Sequence, residues 1–371
     1  MAADWSLLPF DIVASIALTL ETFEDFIRFS AVCRTWNRAS SLIKHQWRAT
    51  PSVPWLLLAE NTNENPNCVR KLFNISNDKF YQLSLPQTFG KRCWGSAYGW
   101  IAMVDHDLNH FLWFMHCFLS KLIVIKVSQG DRHEFVIMVL YHYNKCLAFA
   151  MHGDQTWTSL IVKENRKVID AVVTAHYVFS LHDDGSIVHW NVKEFYSREI
   201  VEPISYHPPA DPEIFEELDE RARSIYLVQS GCDLLMVLRF TTNSLRSDDE
   251  IDLDEYGLDD SDDFTYHTFG FKVFKLDHKH KIWEQIKDLD NVALFVGENY
   301  SISISLTLAN CLESNCIYFT DDEAEYWVWN PKVAGQDMGI FDNKCGQIWQ
   351  IYDVDDISSS IYPPIWFIPQ F

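Results

Sequence analysis

Basic residues are scarce in this chain: 30 lysines and arginines stand against 52 aspartates and glutamates, a formal net charge of −22 over 371 residues. That balance argues against the phosphate-neutralising surface on which nucleic-acid binding depends, and an acidic membrane face would repel it too. No Cys-x-x-Cys pair occurs. Nine cysteines are scattered at positions 33, 68, 93, 117, 146, 232, 311, 316 and 345, an odd number that fits free thiols in a reducing compartment better than a disulfide scaffold. At the N-terminus no basic segment precedes an apolar run, and Asp4 stands where a secretion signal wants Lys or Arg. The most apolar run, Phe111 to Ile125, is interrupted by His116 and Lys121 and is shorter than a spanning helix needs, so it reads as core.

Catalytic signatures are missing as well. The chain has no Gly-x-Ser-x-Gly elbow, no phosphate loop and no dinucleotide fingerprint. Nothing in the sequence singles out one of the nine cysteines as an activated nucleophile. These absences lead to the expectation of a non-catalytic protein with no cofactor and no metal.

What the chain does have begins at its N-terminal end. Leu8-Pro9 precedes a stretch in which Ile12, Val13, Ile16, Ala17 and Leu20 recur at helical spacing. Proline lacks an amide and holds φ near the helical value, so Pro9 suits the first turn of that helix. Thr22-Phe23-Glu24-Asp25 reads as a capping-box variant that starts a second helix. Phe26, Phe29, Val32, Cys33 and Trp36 lie along one side of that helix or its continuation. An ordinary helical hairpin docked on its own domain would show the same periodicity. So would a segment too short to hold a core alone, which completes its packing against a partner.

The order Leu-Pro, apolar helix, Asp25-Phe26-Ile27-Arg28-Phe29 and Val32-Cys33-Arg34-Thr35-Trp36 closely resembles an F-box. That resemblance implies a three-helix module that binds a Skp-type adaptor and, through it, a cullin-RING ubiquitin ligase. Carried over position by position, Leu8, Pro9, Ile12, Val13, Ile16, Val32, Cys33 and Trp36 would form the adaptor-binding set.

Pro51-Ser52-Val53-Pro54 marks a change of character and a boundary between residues 1–50 and 51–371. Beyond it, short apolar runs alternate with Gly, Asn and Asp turns, and 14 tryptophans and 25 phenylalanines supply a large aromatic core for a mainly-β domain. Tyr177–Leu181 and Ser186–Trp190 predict a hairpin around His182-Asp183-Asp184-Gly185, whose Asp-Gly pair supplies the positive φ of a tight turn. Phe269–Leu276 and Ile282–Ile286 predict another strand pair. A strand, a polar turn and a Trp-x-x-aliphatic element recur at Lys145–Leu160 and Phe271–Ile286, as in kelch-type propeller blades. The expected fold is therefore an α+β multidomain chain, three helices followed by a kelch-like β-propeller. A β-sandwich is the alternative, and the number of blades stays open.

The larger pattern adds a second resemblance. Pro54-Trp55-Leu56-Leu57-Leu58, Cys93-Trp94-Gly95-Ser96-Ala97-Tyr98-Gly99-Trp100, Gly153–Leu160, Cys316-Ile317-Tyr318-Phe319-Thr320-Asp321-Asp322 and Pro363–Pro369 follow in that order. Together they resemble the plant F-box proteins with a kelch-like C-terminal domain of unknown function. The resemblance implies a substrate receptor of a Skp–cullin–F-box ligase, working in the nucleus or cytoplasm on an unspecified protein. The alternative is a ligase-independent protein that sequesters a partner through the β domain. One departure stands out: Leu112-Trp113-Phe114-Met115-His116 replaces the family's Leu-Leu-Asn-Pro turn.

Two polar clusters invite a metal reading. Ten of the sixteen residues from Asp248 to Asp263 are acidic, and Asp252, Asp254, Gly257, Asp260 and Asp263 approximate a calcium loop. Tyr256 at the fifth position and Asp263 at the twelfth are poor ligands there, so the run reads as a charged loop able to attract a basic segment. His106 and His110 have zinc-helix spacing in a stretch that reads as strand and turn. His278-Lys279-His280 reads as a hairpin turn, and Cys311 and Cys316 lack two further ligands at zinc-like spacing.

Overall fold

Pro9 opens the first helix, α1 (Phe10–Leu18), from the N-cap position rather than from inside its first turn. Its φ of −56° and ψ of 143° are those of extended chain. Its carbonyl accepts the amides of Ile12 and Val13, each at 3.1 Å. A second helix, α2 (Phe23–Ser30), is followed by a break at residues 31–33, and α3 (Arg34–Trp47) then carries Trp36. Asn37 joins the last two helices: its amide donates to the Cys33 carbonyl at 2.9 Å and its Nδ2 to the Ser30 carbonyl at 3.2 Å. The Cys33 bond is the first of α3, whereas the Ser30 carbonyl ends α2 and is one that the helix itself leaves unpaired. Val13, Ala17, Phe26, Phe29, Ala39 and Ile43 form the core between the three helices.

The computed structural model describes residues 5, 8–20, 23–47, 53–58, 69–88, 91–95, 101–105, 119–129, 132–141, 146–151, 153–160, 166–174, 176–192, 195, 204–206, 222–243, 266–307, 309, 311–322, 335–351 and 364–369. The chain divides into two compact units, Met1–Ser52 with Gln370–Phe371, and Val53–Pro369.

The second unit is built from strands. β1 (Trp55–Leu57), β2 (Val69–Asn74) and β3 (Lys79–Ser84) share one sheet, and β4 (Lys91–Gly95) pairs with β5 (Ile101–Asp105) in another. β6 (Leu119–Gln129), β7 (Arg132–Tyr141), β8 (Cys146–Met151) and β9 (Thr158–Leu160) form the next blade. It is followed by the blade of β10 (Val168–Val173), β11 (Tyr177–His182), β12 (Ile187–Asn191) and β13 (Ile204–Tyr206). β14 (Ala222–Ser230), β15 (Asp233–Asn243), β16 (Tyr266–Asp277) and β17 (Ile282–Ile286) come after it. The last blade holds β18 (Val292–Val296), β19 (Ile302–Ser305), β20 (Cys316–Phe319), β21 (Gly339–Asp342) and β22 (Ile348–Trp349), in the order β19-β18-β20-β21-β22. β23 (Ile365–Phe367) returns to the first sheet and pairs antiparallel with β1, Leu56 opposite Trp366.

Burial falls across the blades from one edge to the other. β10 and β23, each at one edge of its sheet, are nearly or wholly buried, whereas β3, at the edge opposite β23, and β22, at one edge of the last blade, are mostly exposed. That gradient is expected when every blade points one edge at a common centre. Six apolar clusters complete the ring, each joining consecutive sheets. Leu57 and Phe367 meet Cys93, Trp94 meets Leu122 and Val139, and Phe149 meets Val178 and Trp190. Leu181 and Ile187 meet Met236 and Phe274, Phe271 meets Phe319, and Phe295 meets Leu56 and Trp366. Among the described residues, five blades of four or five strands and the two-stranded β4–β5 sheet close the ring of a β-propeller. The sandwich alternative is excluded, because sheets stacked in two layers do not form a closed circuit.

The two hairpins read from the sequence are present. β11 and β12 pair from Tyr177 opposite Asn191 to Leu181 opposite Ile187. Gly185 takes φ 76° in the turn and its amide returns to the His182 carbonyl at 2.9 Å. β16 and β17 pair with Leu276 opposite Trp283.

Candidate functional site

The helical unit carries more apolar side chain than its own core uses. Phe10, Ile12, Leu18, Val32 and Leu42 are exposed, as is Trp5 ahead of α1. Three short helices bury little surface, and these apolar groups remain in water.

The eight residues expected at that face divide between two roles. Ile12 and Val32 are exposed side chains, and Pro9 is exposed at the N-cap. Leu8, Ile16 and Trp36 are half-buried against the internal core. Cys33 is half-buried, and its carbonyl starts α3. Val13 is the correction: at 0% exposure it lies wholly between the helices and has no surface to offer a partner. Helical spacing placed it beside Ile12 and Ile16, but the three-helix packing turns that position inward. Trp36 also supports the unit from within. Its ring lies 4.4 Å from that of Phe29, and its Nε1 donates to the Trp5 carbonyl at 3.3 Å. Sequence reasoning missed Phe10, Leu18 and Leu42, which fall outside the signature and are visible only as apolar residues off the buried stripe.

In the propeller the most concentrated polar site surrounds Arg239. Its NH2 lies 2.9 Å from Asp337 Oδ2, its NH1 2.6 Å from Asp322 Oδ1, and its Nε donates to Thr268 Oγ1 at 2.7 Å. The Thr320 and Asp337 carbonyls take two more bonds, and the Phe319 ring lies 4.9 Å from the guanidinium. Burial opposes the charge on Arg239, but Tyr226 and the aspartates more than offset it and raise its pKa. Burial, then Asp322, push the Tyr226 hydroxyl well above its ordinary value. Next to them Tyr266 donates to Asp321 at 2.5 Å, and the Gly335 amide bonds the same carboxylate at 2.7 Å. Every one of these groups has a protein partner. The cluster binds β14, β15 and β16 to the chain around β20 and β21, which is a structural task.

The other expected sites are less productive. His278, Lys279 and His280 form the exposed turn between β16 and β17, and Asp277 accepts from His280 Nδ1 at 2.6 Å. Cys316 is buried, and burial pushes its thiol up to about 12, far from a reactive thiolate. Cys311 is exposed. Among the described residues no three His, Cys, Asp or Glu side chains converge as a metal site would require. His106 and His110, the departure at 112–116 and the acidic run 248–263 lie outside the described residues.

Comparison with known proteins agrees with both units. A family model described as the F-box domain matches residues 5–45, and one described as KIB1-4 beta-propeller matches residues 72–342. The Arabidopsis thaliana F-box/kelch-repeat protein KIB1 is 24% identical over 363 residues, covering 91% of this chain and 82% of that protein. A further Arabidopsis F-box/kelch-repeat protein is 24% identical, covering 85% and 83%. The Arabidopsis F-box protein SKIP23 is 21% identical, covering 97% and 94%. With an F-box match ahead of a propeller match that spans most of its length, the chain belongs to the KIB1-4 beta-propeller family of plant F-box proteins.

Proposed function

We propose that this protein is the substrate-recognition subunit of a Skp–cullin–F-box ubiquitin ligase in the nucleus or cytoplasm. The helical unit docks on a Skp-type adaptor, and the propeller holds a protein substrate. Ubiquitin transfer belongs to the recruited catalytic subunits, so this chain accelerates it by holding substrate near the charged enzyme. The observation that carries the reading is the set of exposed apolar side chains, Phe10, Ile12, Leu18 and Val32, on a unit that matches the F-box.

Reconstitution tests it. Full-length protein mixed with a purified plant Skp-type adaptor should elute as a complex, and Ile12→Asp with Val32→Asp should abolish it. Failure of the intact protein to bind any adaptor, while its propeller still captures a cellular protein, would support the ligase-independent alternative. In that case deletion of residues 1–50 would leave biological activity intact.

A further inference from the structure

From the loop after β18 into the start of β19, the chain reaches every other sheet within seven residues, 297–303. Glu298 pairs with Arg92 of β4, both side chains nearly fully buried. Asn299 grips the backbone of Trp366 in β23: its Nδ2 donates to the Trp366 carbonyl at 2.5 Å, and its Oδ1 accepts the Trp366 amide at 3.3 Å. The Tyr300 hydroxyl donates to the Val173 carbonyl of β10 at 3.0 Å. Ser301 Oγ accepts from Lys121 Nζ of β6 at 3.5 Å, and that ammonium lies 2.6 Å from Asp170 of β10. Ser303 donates to Ser230 of β14 at 2.9 Å. The Tyr300 ring packs against three of the six clusters that join neighbouring sheets.

Only the axis of a ring lies beside all of its sheets, so this segment crosses the axis. The chain turns off β18 at Gly297, whose φ of 155° is rare for an L side chain and which packs against Thr320, just past β20 of the same blade. A Cβ there would stand 2.1 Å from Thr320 Oγ1. Glu298, Asn299 and Ser301 are themselves buried, and Asn299 and Ser301 bond protein partners rather than bulk solvent.

We propose that residues 297–303 form an axial latch. They close the centre of the propeller and lock β23, the strand that completes the first blade. A macromolecular partner is thereby confined to the outer rim and the loop-bearing faces of the ring. This inference stands whether or not the protein serves a ligase.

Thiol labelling of the full-length protein tests closure. Ser301→Cys is nearly isosteric, and its alkylation by iodoacetamide can be followed by peptide mass spectrometry against the exposed native Cys232. Position 301 should react at least roughly a hundredfold more slowly, as expected where reaction waits for local opening. Equal rates would overturn the proposal. Tyr300→Phe in the same background removes one hydroxyl and should speed labelling at 301 several-fold; an unchanged rate counts against the latch. In Asn299→Ala, amide exchange at Ile365–Phe367 and Leu56–Leu57 should quicken about tenfold, the scale of a lost hydrogen bond or two, while β11 and β12 stay protected. No change in β23, or equal loosening of all blades, would reject the locking role.

Discussion

Ile12 and Val13 are neighbours in α1 with opposite surroundings: Ile12 is 46% exposed, whereas Val13 is 0% exposed. One peptide bond separates the proposed docking face from the core that supports it.

Substitutions at these two positions should therefore separate binding from folding. Ile12→Asp is expected to weaken adaptor binding by about 2 kcal/mol, roughly thirtyfold, the scale of an interface anchor. Helical circular dichroism should not change. Val13→Ala should cost about 1–2 kcal/mol of stability through lost burial, with binding reduced only as far as the unit unfolds. Calorimetric titration beside thermal melts distinguishes the two, and loss of affinity at neither site would remove this face from the docking surface.

Arg239 predicts a large effect from one side chain. Arg239→Met leaves Asp322 and Asp337 without the cation that faces both. The expected cost is about 3–5 kcal/mol, as for breaking a buried ion pair, read as a lower urea midpoint. Arg239→Lys should recover only part of it, because an ammonium cannot reproduce the guanidinium fork.

Gly297 and Thr320 should behave as a coupled pair. Gly297→Ala drives its methyl into Thr320 Oγ1 at about 1–3 kcal/mol, typical of overpacking, in addition to the backbone strain of a side chain at φ 155°, which persists in any double variant. Thr320→Ala removes the obstructing oxygen, so the double variant should be more stable than the sum of the single losses by at least about 0.5 kcal/mol. Additive losses would show that the contact at 297 is not what restricts that position.

The turn at residues 277–280 should titrate visibly. Bonding to Asp277 raises the His280 pKa above its ordinary 6.5. The bond from His280, joined by the His280 and Lys279 amides, lowers Asp277 to about 2. The His280 contribution is complete below pH 6.5 and is lost as pH rises through its raised value. The Asp277 contribution is complete above 3.8 and is lost as pH falls through about 2. The contact is thus strongest between those limits. Proton NMR should place the His280 transition above 6.5 in the intact protein and lower it in Asp277→Asn.

Much of this was legible in local sequence. The β11–β12 hairpin follows from alternation around Asp184-Gly185, and the start of α1 follows from Leu8-Pro9. Arg239 and Lys121 also leave a trace, as single charges inside apolar strand sequence, where a cation is buried only if something pairs with it. Lys121 looked like an interruption of an apolar run; it is the partner of Asp170. What local pattern could not show is the latch. Gly297-Glu298-Asn299-Tyr300-Ser301 has the composition of an exposed turn, and its partners stand on sheets scattered from residue 92 to residue 366. Inward and outward positions on α1 were similarly ambiguous, because helical period marks a stripe and only the packing of α2 and α3 decides which part of it is covered.

The pairing of Leu56 with Trp366 has a consequence for how the molecule is made. These partners are 310 positions apart in the chain, so β1 emerges from the ribosome long before the strand that completes its sheet exists. Throughout that interval Leu56 and its neighbours present an open apolar border, the kind of nascent edge that chaperones shield and that stray chains adhere to. Slow final closure would make the yield of active receptor depend on the folding machinery of the cell as much as on the finished structure.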